Sequence, residues 1–267
     1  MTVPLLEVAN LHVHAGEHVL LRDCHFTLAP GELVGVIGPN GAGKSSLLKA
    51  LAGLLPAARG SIVVMGSPLA SLEPRARAER LAYLEQQPQA CWPLRVTDIV
   101  ALGLSHRGTG GTRLRQRIDA ALDASGCPGL HDRHFHTLSA GEQMQVHLAR
   151  VLVADTPIVL ADEPTAALDL WHQHHLLQVL RQQCEAGKGM VVVMHDLALA
   201  ARYCTRLMLF DRGELVVDGS AAEVLDPPLL ARCYRVRARF DAERGSLQYE
   251  GNLAEAPSSH ASGEPRE

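Results

Sequence analysis

The chain has 267 residues, 47% of them hydrophobic and 20% charged, with a formal net charge of −4. That length suits one large α/β domain or a domain with a subdomain, and the composition is ordinary for a globular protein. The slight acidity argues against nucleic acid as a bulk electrostatic partner. The six cysteines, at 24, 91, 127, 184, 204 and 233, include no C-x-x-C pair. The N-terminal residues lack the basic start and long apolar core of a secretory signal. The thiols therefore read as reduced, cytosolic, small core residues. No apolar run reaches membrane-span length: residues 190–194 are strand-sized, and 151–161 is broken by Asp155 and Pro157. Work at a membrane is expected only through a partner.

In chain order, residues 5–13 and 17–28 alternate partially between apolar and polar, which predicts two or three antiparallel strands before a turn at Pro30-Gly31. Residues 34–37 suit a short buried strand. Gly38, Pro39, Asn40, Gly41, Ala42, Gly43, Lys44 and Ser45 then fit G-x-x-x-x-G-K-[ST], and Ser46 continues into a helix ending near Gly53. Glycines at 38, 41 and 43 allow backbone conformations that a Cβ forbids, so successive N–H groups curl around phosphate oxygens with a helix N-terminus behind them. Lys44 is then placed for the β- and γ-phosphates of ATP and the Ser45 hydroxyl for Mg2+. A glycine-rich turn that binds nothing is the plain alternative, but strand, loop, Lys-Ser and helix fall in the required order.

Next come a strand over 60–64, a charged helix over 74–80 and a short strand over 81–84. From residue 88 the composition changes. Pro88 and Pro93 punctuate a loop, 96–104 has helical spacing, and 107–111 (RGTGG) is a flexible break. Residues 114–125 predict an amphipathic helix with Leu114, Ile118, Ala121 and Leu122 on one face. We read a helical subdomain, about 88–150, inserted into an α/β domain of residues 1–250. Helices over 141–154, 171–185 and 197–205 alternate with strands over 158–161 and 190–194. A hairpin over 206–217 turns at Asp211-Arg212-Gly213. That alternation predicts a parallel-containing sheet covered on both faces. Residues 251–267 are small and polar and read as a disordered tail.

Residues 158–163, IVLADE, end an apolar strand on two carboxylates. Asp162 is the expected Mg2+ ligand. Glu163, one residue on in the pleat, points elsewhere and is the candidate for polarising the attacking water. Residues 138–143, LSAGEQ, carry a capping box, Ser139 with Glu142 three residues on. His195 follows an apolar strand, where a histidine is ordinarily a polar cap.

The order P-loop, Gln86, LSAGE, IVLADEPTAALD, VVVMHD resembles the ATP-binding subunit of an ABC transporter, over roughly residues 5–240. The resemblance implies an α/β fold: a P-loop NTPase core with a mixed sheet, an antiparallel β subdomain and the inserted helical subdomain. LSAGE corresponds to the signature motif LSGGQ, with Ala140 and Glu142 as the departures. Ser139, Ala140, Gly141 and Glu142 are then expected to meet the ATP of a second copy in a homodimer. Gln86 resembles the Q-loop glutamine that touches Mg2+, with Gln87 an off-by-one alternative. Asp169, after Ala167 and Leu168, resembles the D-loop, and His195 the switch histidine at the γ-phosphate. One feature departs: Ala15 stands where the adenine-stacking aromatic is expected, leaving His12, His14, His18 or a loose hold on the base.

Below family level, residues 67–86, 91–108 and 218–236 look like importers of iron–siderophore, haem and cobalamin. This implies a peripheral subunit on the cytoplasmic face of the membrane, a separate permease docking near residues 90–106, and a periplasmic binding protein as an indirect partner. Leu94, Val96 and Ile99 are either part of that groove or plain subdomain core. An exporter ATPase, or a soluble ABC ATPase acting on DNA or ribosomes, are the alternatives; the chain has no sustained heptads and no basic stripe for the latter. Fourteen histidines raise the question of a metal site, at His131, His134 and His136 or at His172, His174 and His175. No Cys or carboxylate clearly completes either set.

Overall fold

The computed structural model describes residues 3–86, 94–104, 112–166, 168–241 and 244–252. Gln87, Cys91, Ala167, the 107–111 break and residues 253–267 of the expected tail lie outside the described residues. So does the whole loop at 88–93.

The first sheet is built by β1 (Leu6–Ala15), β2 (His18–Leu28), β4 (Arg59–Val64) and β5 (Ser67–Pro68), all antiparallel in the order β2-β1-β4-β5. The second runs β10 (Glu214–Gly219), β9 (Arg206–Asp211), β3 (Leu33–Ile37), β8 (Gly189–Val193), β7 (Ile158–Asp162), β6 (Leu81–Leu84). Its five pairings are parallel except at the β9–β10 hairpin. Strands β3, β7 and β8 are buried at every position, as expected for parallel strands covered on both faces, and so read as unbroken apolar runs.

The pleat divides those runs between two cores. Val34, Val36, Ile158, Leu160, Val191 and Val193 pack with Leu47, Leu48 and Leu51 of α1 (Lys44–Leu51) and with the antiparallel sheet. Leu33, Ile37, Val159, Met190 and Val192 face the opposite way, onto α6 (Leu170–Glu185) and α7 (Leu197–Tyr203). Each fully buried leucine contributes about 2 kcal/mol relative to exposure. A third core joins α3 (Val96–Ala101), α4 (Thr112–Ala124) and one face of α5 (Ala140–Ala154). Ile118, Ala121 and Leu122 are buried in it as their spacing predicts. Val96 and Ile99 are also buried there, so they serve that core rather than an open groove. Leu94 is only partly covered.

Past the β9–β10 hairpin the chain holds elements that its periodicity does not signal. A one-turn helix α8 (Ala221–Val224), α9 (Pro227–Tyr234) and a hairpin of β11 (Val236–Asp241) and β12 (Ser246–Asn252) close the described chain. Residues 251 and 252, expected as tail, are instead strand: Gly251 pairs with Arg237 and Asn252 with Val236. The described cysteines are free, and burial pushes the Cys24 thiol up to about 11 and that of Cys184 to about 12.

One core position titrates. His147 of α5 is buried edge-on against Phe135, and neither ring nitrogen has a partner among the described residues. Burial pushes its pKa down to about 4 from 6.5. The unfolded chain therefore binds a proton first as pH falls, and stability present above pH 6.5 is lost towards pH 4, by at most about 3 kcal/mol. We expect His147→Leu to flatten the denaturant midpoint across that window; an unchanged slope would refute the assignment.

Candidate active site

Strand β3 delivers the chain to residues 38–43, and α1 begins at Lys44 behind a Gly43 N-cap with φ 96° and no side-chain cap. The first N–H groups of the helix are thus left to a ligand. Gly38, at φ 150°, lies so close to β9 that a Cβ would sit 2.1 Å from the Phe210 carbonyl oxygen. Lys44 is 6% exposed, its ammonium donating to the Gly38 carbonyl at 2.7 Å and the Pro39 carbonyl at 2.9 Å. Burial lowers its pKa, and Glu163 and Asp162 oppose that shift. The loop and helix start form one wall of a cleft of about 550 Å³, with Asn40, Gly41, Ser45, Ser46 and Glu163 among its lining.

Asp162, at the end of β7, accepts a hydrogen bond from the Ser45 hydroxyl at 3.2 Å. Burial raises its pKa, with the Glu163 charge adding to the effect and the Ser45 bond opposing it. Two buried carboxylates face one buried ammonium, Lys44, with Lys49 acting on Asp162 only from the surface, and this leaves negative charge to be matched. Hard oxygen donors from Ser45 and Asp162 fit Mg2+.

The pleat does not aim Glu163. Strand β7 stops at Asp162, and Glu163 takes φ 50°, its N–H donating to the Val193 carbonyl at 3.2 Å. The side chain is fixed from two further elements: Gln86, after β6, donates to it at 2.5 Å, and the His195 ring, after β8, makes a close polar contact with its other oxygen. Three motifs far apart in the chain thus meet on one carboxylate.

Ser139 and Glu142 form the expected capping box at α5. The Glu142 N–H donates to the Ser139 hydroxyl at 3.3 Å and the Ser139 N–H to the Glu142 carboxylate at 2.8 Å. Those bonds from Ser139 hold the Glu142 carboxyl below its ordinary range, and Arg133 lies 3.6 Å from it. Its charge is thereby engaged within its own chain. None of residues 139–142 lines the P-loop cleft. Ser139→Ala should cost about 1 kcal/mol, a Tm fall of about 3 °C by thermal denaturation; no change would show that the cap contributes nothing. Asp169 caps α6, accepting from the His172 backbone at 2.9 Å.

The histidines at 172, 174 and 175 have local contacts. His172 bonds Asp169 at 2.7 Å, His174 bonds the Tyr203 hydroxyl at 2.7 Å, and His175 stacks on Trp171. These three are half-buried rather than exposed. Among the described residues no three metal-ligating side chains gather.

Two contacts escaped the sequence. The β9–β10 tip sits on the P-loop, with the Gly213 N–H donating to the Ala42 carbonyl at 3.0 Å, and Arg212 and Gly213 line the cleft. Tyr234, at the end of α9, lies by the Gly38 backbone, which opposes the rise that burial gives its pKa. No local pattern could signal either. At the candidate adenine end, the cleft is lined by Val19 and Leu20 rather than His12, His14, Ala15 or His18.

A phosphate-cradling loop, a part-buried Ser–Asp pair and a carboxylate held by glutamine and histidine define a P-loop ATPase site. The family model described as ABC transporter matches residues 21–166, and the chain belongs to that family as an ATP-binding, ATP-hydrolysing subunit. It is 40% identical over 248 residues to the Pseudomonas putida protein named Hemin import ATP-binding protein HmuV, covering 90% of this chain and 97% of that one. The protein of the same name from Pseudomonas fluorescens Pf-5 is 43% identical with the same coverage. Among solved structures, a dimeric post-hydrolysis ATP-binding cassette bound to ADP and Pi superposes with TM-score 0.75 at 27% identity, over 81% of this chain and 98% of that one.

Proposed function

We propose that this chain powers uptake of haem or a related iron chelate, as a homodimer on the cytoplasmic face of a separate membrane permease fed by a periplasmic binding protein. The observation that carries the cargo is the likeness, over nine-tenths of the chain, to relatives named for hemin import. No described helix is long and apolar enough to cross a membrane, which agrees with a permease supplied by other chains.

In this reading the loop N–H groups of residues 38–46 and the Lys44 ammonium bind the phosphates of ATP. Ser45, Asp162 and Gln86 would hold Mg2+, which would supply charge neutralisation at the phosphates. Glu163 takes the proton of the attacking water, and Gln86 and His195 orient its carboxylate. Ser139, Ala140, Gly141 and Glu142 of a second copy, with Asp169 at the seam, cover the nucleotide that one cleft leaves open. Closing and reopening of that pair drives the permease.

The test is uptake. Cells lacking this gene should lose haem uptake and regain it with the wild-type chain but not with Glu163→Gln. Recovery of only cobalamin or ferric-siderophore uptake would replace the cargo; recovery of none would reject the import reading.

A further inference from the structure

We propose that Arg212 is the nucleobase platform of this ATPase, its guanidinium plane stacking on the base of the bound nucleotide. The inference rests on the P-loop cleft being the nucleotide site. Among the described residues the lining of that cleft contains no aromatic side chain: beyond the loop and Glu163 it offers Val19, Leu20, Arg212 and Gly213. Arg212 is therefore the one planar cation in that lining, beside two aliphatic side chains. A guanidinium stacks on aromatic faces and is held there by cation–π attraction.

The hairpin tip is built to hold this residue in place. Asp211 and Glu214 are paired, so Arg212 and Gly213 form a two-residue turn, and both have positive φ, 49° and 82°. Such a turn favours Asn-Gly; an arginine in the left-handed region there costs about 1 kcal/mol. The strain is retained where the tip is clamped on the P-loop side, by Gly213 N–H to Ala42 at 3.0 Å and Arg22 N–H to the Gly213 carbonyl at 2.8 Å. Neighbouring Glu214 is engaged by Arg22 at 3.4 Å. The exposed Arg212 guanidinium makes no hydrogen bond or ion pair with a described residue. A platform of this kind reads a π-face rather than a hydrogen-bonding edge, so adenine and guanine should be held alike.

The test is equilibrium binding of Mg-ATP, Mg-GTP and inorganic tripolyphosphate to the full chain and its variants. Arg212→Asn, which suits the left-handed turn, should keep or raise Tm, weaken ATP and GTP about fivefold, and leave tripolyphosphate unchanged. Arg212→Lys, charged but not planar, should not restore affinity. In ATP turnover KM should rise with kcat unchanged. Unchanged ATP affinity, an equal loss for tripolyphosphate, rescue by lysine, or a Tm below wild type in Arg212→Asn each overturns the proposal. Lys44→Ala separates the two readings: it should weaken ATP and tripolyphosphate together, and if it weakens neither, the P-loop assignment fails instead.

Discussion

Glu163→Gln should bind ATP as tightly as the wild type and hydrolyse it at least about a hundredfold more slowly, the size expected for removing a general base. The amide keeps the volume and a hydrogen-bonding oxygen, so Gln86 retains a partner while the basic group is lost. The geometry favours a large effect. The carboxylate is 9% exposed, lines the P-loop cleft and is held by contacts from Gln86 and His195. Phosphate release under single turnover measures the loss directly. With ATP and Mg2+ the slow variant should also elute as a stable dimer, because the closed pair is no longer reopened by hydrolysis. Wild-type turnover in this variant would remove Glu163 from the proposed mechanism; a monomer with ATP bound would remove the partner copy.

The second large effect is structural. Gly38→Ala should lower stability by at least about 3 kcal/mol, a Tm drop of about 10 °C, and abolish ATP binding. The residue has φ 150°, and its Cβ would meet the Phe210 carbonyl oxygen at 2.1 Å. That oxygen belongs to a buried strand paired with β3, so neither partner can yield without opening the sheet. Gly41→Ala is the control. Its φ is 79°, but nothing lies within 4 Å of an added Cβ, and the expected cost is only the backbone strain, about 1 kcal/mol. Equal melting temperatures for the two variants would show that the close approach to β9 is not what requires glycine at 38.

What could be read from the amino-acid order was local chemistry with a fixed spacing. The phosphate loop, the apolar strand ending in Asp162-Glu163 and the Ser139–Glu142 box each occupy a few consecutive residues, and periodicity marks β3, β7 and β8 because both their faces are buried. The motif order then identified the superfamily. Folding decided the meetings. Glu163 is aimed into the cleft by a left-handed turn and by Gln86 and His195, contacts that strand alternation does not supply. Gly38 is pinned against β9, and the hairpin tip carrying Arg212 lies over Ala42. Such contacts join segments far apart along the chain. Their geometry comes from how whole sheets pack and twist, and a short window of residues carries no trace of it.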